Sequence, residues 1–316
     1  MGAVRNNLLK LIQTLNENGS SWALQYVRLD FIEKMELDAE QDLFFKRHLQ
    51  KMDALACKAI KNIEDYAALV QIAESYSECF IYSKLKALLF VRPVPESANS
   101  RSPDFEVMFR DSTAYFEVKA LNMVGGFLKH KQIMLSGMTS TIEAEESSKH
   151  GGIGFGEQEI APYRSENRPY NPRSTRLVIE ELILKVQQNI KEDQFKIGPT
   201  ILLIDLCGHL PILSEPVKSL QERFYDYDSK AHISGEFWHV AFGSIGSNIS
   251  TFPEFAGGPN SDGTLQKSGI LNENTFIKGL VFHYQDRFYS LCKLQRGNEI
   301  PISLVKYISS ANGFRR

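Results

Sequence analysis

The sequence predicts an α/β fold with a mixed central sheet, preceded by a helical N-terminal region. Three observations carry this. Residues 20–92 contain neither glycine nor proline and are rich in Leu, Ala, Glu, Lys and Gln, a composition that favours helix. From Phe90 the apolar period changes to the alternation of strands. An amphipathic stretch from Ser174 is then followed by the apolar run 199–207, bounded by Gly198 and Gly208, as for a strand buried on both faces.

In order along the chain, Leu8, Leu9, Ile12 and Leu15 line one face of a first helix that stops at Asn18-Gly19. Roughly three helices are expected between Ser20 and Leu89, with Asp38 and Asn62 as caps. Phe90 to Val94 reads as a short strand and Pro95 to Pro103 as a loop. Asp104 opens a second strand, and a turn at Asp111-Ser112 leads to a third strand holding Glu117 and Lys119. Leu121 to Arg173 is a long irregular insert. Ser174 caps a helix through Lys191 that turns Ile179, Leu182, Ile183, Val186 and Ile190 inward. Phe237 to Phe242 and Ile277 to Tyr284 read as further strands, the latter pairing with Arg287 to Leu294 across Gln285-Asp286. The expected organisation is a helical region at 1–62 and a second domain at 63–316, with its insert at about 122–173.

The composition is that of a globular chain: 316 residues, 43% hydrophobic, 23% charged. A net charge of −2 excludes indiscriminate coating of nucleic acid and leaves room for a local basic groove. The four cysteines lack zinc or redox spacing, so they read as small buried hydrophobes in a reducing compartment. No apolar run of 18 residues and no signal-type leader occurs, which predicts a soluble, cytoplasmic chain with no membrane partner. The run Gly151 to Gly156 lacks the Gly-Lys-Ser/Thr of a phosphate loop. The histidines form no metal-ligand pair, and Ser244-Ile245-Gly246-Ser247 is no nucleophile elbow.

The chemistry concentrates at Asp104, Glu117 and Lys119. Glu117 and Lys119 stand two apart on one strand and so share a face, with Asp104 on the adjacent strand about 5 Å away. An exposed ion pair would space Glu and Lys in the same way. Here, however, Phe116, Val118 and Ala120 make the opposite face apolar, as a half-wet cleft demands. Two carboxylates suit a hard divalent cation, and an ammonium beside them suits phosphate charge, the set that phosphodiester hydrolysis requires.

With these elements in this order, Pro103-Asp104-Phe105 and Glu117-Val118-Lys119 resemble the motif of the PD-(D/E)XK nuclease superfamily, the restriction-endonuclease-like fold. The resemblance covers about Asp65 to Cys207. It implies an αβββαβ core with the motif on the second and third strands, and a Mg²⁺- or Mn²⁺-dependent endonuclease. Asp104, Glu117 and the Val118 carbonyl would hold the metal, and Lys119 would orient the attacking water or stabilise the charged phosphorus centre.

Family members often add a glutamate from the upstream helix. The stripe Ile63, Ala67, Val70, Glu74, Glu78, Ile81, Leu85 offers two, and the layout assigns the role, metal ligand included, to Glu78. A glutamine on a later helix can assist; of Gln187 and Gln188, Gln188 is the candidate. The implied partner is DNA, or RNA, and paired cuts favour a homodimer. A catalytically inactive nucleic-acid-binding or scaffolding protein of the same fold is the alternative. Phosphate contacts would come from Lys129, His130 and Lys131, and from Tyr163, Arg164, Arg168 and Tyr170 in the insert. The C-terminal stretch from Tyr284, with six Lys/Arg against two acids, would add to them.

Overall fold

The computed structural model describes residues 3–17, 24, 26–63, 66–95, 102–121, parts of 139–149, 175–206, 224–226, 231–233, 236–251, 260–284, 286–292 and 302–310. The chain divides into two compact units: residues 1–76 with 122–168, and residues 77–121 with 169–316. The division falls inside a helix, later than the boundary at residue 62 expected from composition.

The first unit contains helices α1 (Ala3–Glu17), α2 (Leu29–Asp38), α3 (Leu43–Lys61) and the start of α4 (Tyr66–Lys86). In α1 the buried line is Leu8, Leu11 and Leu15, and Leu9 is exposed. The stripe therefore runs at i, i+3, i+7, one residue aside from the expected face. Asp42, rather than Asp38, caps α3 by accepting the Phe44 N–H at 3.0 Å, and Asp38 is the last residue of α2. Asn62 lies at the C-terminal end of α3. Tyr76 closes this unit's core: its ring meets Phe31 edge-on at 5.6 Å, and its hydroxyl accepts the Arg28 N–H at 3.1 Å.

The second unit is an α/β layer structure on a six-stranded sheet. Its strands are β1 (Phe90–Pro93), β2 (Phe105–Phe109), β3 (Ser112–Ala120), β4 (Thr200–Asp205), β9 (Ile277–Tyr284) and β10 (Arg287–Cys292), in that spatial order. β1, β2 and β3 run antiparallel, β3, β4 and β9 parallel, and β10 returns antiparallel. The sheet is mixed, as expected. Every residue of β4 is buried, which is what its unbroken apolar sequence demands at the middle of a parallel sheet. Two further pairs, β5 (Phe224–Asp226) with β6 (Ala231–Ile233) and β7 (Asn248–Thr251) with β8 (Asn260–Thr264), stand outside this sheet.

The β2–β3 turn uses Arg110-Asp111, with Arg110 at φ 54, one residue before the expected pair. The β9–β10 hairpin turns as expected, with Asp286 at φ 62. Residues 237–242 are not a strand. They form α6 (Glu236–Phe242), which buries Phe237, Val240 and Ala241 at i, i+3, i+4. The remaining helices are α5 (Thr175–Asn189), α7 (Ile270–Glu273) and α8 (Ile302–Ser310).

Helices pack on both faces of the sheet. The C-terminal half of α4 lies on the face of Phe105, Phe116 and Val118, where Tyr82 stacks on Phe105 at 5.3 Å. On the other face Phe237 of α6 stacks on Phe282 of β9 at 4.3 Å. Each fully buried large apolar side chain in these layers contributes about 1.5–3 kcal/mol. Among the described residues no helix is long and apolar enough to cross a membrane. Cys57, Cys79 and Cys292 are free thiols, and Cys207 lies outside the described residues.

Candidate active site

Strand β2 leaves the ladder at Asp104. Its N–H bonds the Phe116 carbonyl at 3.0 Å, one residue out of register with the rung Phe105↔Phe116. Such a slip at a strand end re-aims a side chain. The Asp104 carboxylate takes over the role of the departed backbone and accepts the Val118 N–H at 2.7 Å. The carbonyl of a strand residue points the same way as its N–H, so the Val118 carbonyl lies on this edge of β3.

Glu117 and Lys119 project to the sheet face covered by α6. Glu117 is fully buried, and the Lys119 side chain is 21% exposed. The expected half-wet cleft is drier than its sequence suggests. Oε1 of Glu117 accepts from both the Lys119 ammonium and the Gln194 side-chain amide. Oε2 of Glu117 has no partner, and neither has Oε1 of Gln194. Burial and, after it, the Asp104 charge raise the Glu117 pKa; Lys119 and the Gln194 amide oppose them, and the balance lies at about 8. The influence of Asp104 shows that the two carboxylates share one electrostatic site.

Gln194 sits in a single 3₁₀ turn, Glu192–Phe195, between α5 and β4. The turn leads back over β3. A side chain at Gly198 would place Cβ 2.7 Å from the Tyr115 ring, so only glycine lets the chain pass so close. The expected auxiliary Gln188 is solvent-exposed on α5, and its neighbour Gln187 bonds Glu273 at 2.6 Å. The glutamine beside Glu117 is thus Gln194. A short polar turn just before a buried strand is the only sequence signal that could have found it.

The stripe that nominated Glu78 is a core stripe only at its C-terminal end, where Ile81 and Leu85 are buried. Ala67 and Glu74 are exposed and Val70 is half-buried, while the buried line of α4 runs through Ala68, Leu69, Ile72, Ala73 and Tyr76. Glu78 itself is half-buried. Among the described residues no group of three or more acidic, histidine or cysteine side chains fit to hold a metal is found. Lys129, His130, Lys131, Tyr163, Arg164, Arg168, Tyr170, Ser174 and His209 lie outside the described residues. So do the Gly151 to Gly156 run and the basic residues Lys293, Arg296, Arg315 and Arg316.

No family model, no curated protein and no solved structure matches the chain. The chemistry of the site is therefore read from its own side chains. A buried carboxylate with an orphaned oxygen, a second carboxylate within electrostatic reach and a neighbouring backbone carbonyl form a hard-oxygen donor set. That set fits Mg²⁺ or Mn²⁺.

Proposed function

We propose that the chain is a metal-dependent nuclease that hydrolyses DNA phosphodiester bonds. The observation that carries this reading is Oε2 of Glu117, a buried oxygen without a partner beside a second carboxylate. Leaving such an atom unsatisfied costs on the order of 1–3 kcal/mol or more, a cost that a bound cation removes. The order α4, β1, β2, β3, α5, β4 also agrees with the αβββαβ core of restriction-endonuclease-like proteins.

Asp104, Glu117 and the Val118 carbonyl would hold the ion. When bound, it supplies a lowered water pKa and a counter-charge for phosphate. The chain's own groups do the rest. The Val118 N–H fixes the Asp104 carboxylate, the Gln194 amide fixes Glu117, and the Lys119 ammonium presents a point charge to a phosphate oxygen.

Full burial of Glu117 favours a second reading, a non-catalytic nucleic-acid-binding or scaffolding protein in which Lys119 simply neutralises the carboxylate. The two separate on one bench. With Mg²⁺ or Mn²⁺, purified protein is expected to degrade plasmid or oligonucleotide DNA. Glu117→Gln and Lys119→Ala are each expected to lose about 10²-fold or more in rate. Equal activity in the variants would move the chemistry elsewhere, and no heat of Mn²⁺ binding in calorimetry would favour the scaffold.

A further inference from the structure

On the strands that lead into the site, the face bearing Glu117 and Lys119 stays open to solvent. The rungs Phe90↔Met108, Arg92↔Glu106, Met108↔Thr113 and Glu106↔Tyr115 put these six side chains on that face. Phe90 is 54% exposed and Met108 46%. β1 is an edge strand, where exposed apolar side chains are a liability unless something covers them. The Arg92 guanidinium does not reach across to Glu106 for its position; it lies over the Phe90 ring, 4.7 Å from the centroid.

We infer that this strip is a stacking platform for single-stranded nucleic acid that leads the strand into the site; the inference rests on the nuclease reading. A duplex hides the faces of its bases, whereas a single strand offers them to aromatic rings and guanidinium planes on a flat sheet. Phe90 lies two strands aside from Glu117 and four residues back along β3, about 17 Å away by strand spacings. A chain of a few nucleotides spans that distance. The strip carries one cation, Arg92, and one acid, Glu106, so stacking rather than charge leads the affinity. That agrees with a net charge of −2 and calls for a shallow salt dependence.

The test is the anisotropy of a dye-labelled thymidine 20-mer, alone and annealed to its complement, in EDTA so that nothing is cut. The single strand is expected to bind the wild-type chain more tightly than the duplex. Phe90→Leu, which keeps an apolar side chain but no ring, is expected to weaken single-strand binding about 5- to 150-fold, the range for one lost base stack. Phe90→Trp is expected to retain it. Duplex binding as tight as single-strand binding, or a Leu variant equal to the wild type, overturns the platform. Cleavage by the wild type alongside such a result leaves the nuclease reading standing. A Leu-sensitive, Trp-tolerant affinity in a chain that cuts nothing with any divalent metal keeps the platform and removes the nuclease.

Discussion

The two faces of the central sheet each bury a carboxylate, and they treat it differently. On the α4 face Asp205, at the end of β4, has both oxygens engaged: Ser77 donates to Oδ2, and the His283 ring nitrogen lies 2.9 Å from Oδ1. Ser77, Asp205 and His283 are at most 4% exposed, and the rings of Phe80 and Phe288 close over the imidazole. On the other face Glu117 is equally buried but keeps one oxygen without a partner. A satisfied buried carboxylate ties a helix to a sheet. A half-satisfied one keeps a valence open for something else.

The largest effect is expected at Asp205. Asp205→Ala leaves Ser77 and His283 facing each other across a void. It is expected to cost about 3–5 kcal/mol of stability, read as a lower urea midpoint. Mn²⁺ affinity measured on the fraction still folded should be unchanged, and a loss of both together would mean that the two faces are not separate devices.

Much of this contrast was legible in the sequence, and part was not. The alternation in β2 and β3 named Asp104, Glu117 and Lys119, because a period of two leaves little freedom once one face is apolar. Asp205 reads only as one member of the apolar run 199–207, since nothing in a buried strand announces which polar residue will find partners 128 and 78 residues away. Gln194 was missed for a related reason: it reaches Glu117 through a one-turn 3₁₀ segment 77 residues downstream, and no periodicity marks so short an element. Residues 237–242 read as a strand because three aromatics stand in a short apolar run, while burial at i, i+3, i+4 decides for helix.

A smaller effect is expected through pH. The Glu117 pKa is raised from 4.5 to about 8, so between these values the folded chain holds a proton that the unfolded chain has lost. Stability in EDTA is therefore expected to fall as pH rises through that window, by up to about 1.4 kcal/mol per unit, and to level off above it. Glu117→Gln should flatten the slope. A slope unchanged in the variant would assign the titration to another group.

The smallest effect is expected at Gln194. Gln194→Leu removes one donor from Glu117 Oε1 along with the unpartnered Gln194 oxygen. Folding stability should then change by about 1 kcal/mol or less. Cleavage should fall further than that if the amide holds Glu117 in its working orientation, and a variant with unaltered turnover would reduce Gln194 to packing.

One helix has a consequence for how this chain could be inherited. The first stretch of one compact unit stops at Tyr76 and the other unit starts at Ser77, yet both residues sit within the unbroken α4. A recombination joint at that point would hand the sheet a helix beginning in mid-coil, shorn of about three turns and with its first amides bare. The stretches on either side of that point are thus expected to travel as one hereditary parcel, and shuffling that trades residues 1–76 for a foreign neighbour would have to carry the whole of α4 along.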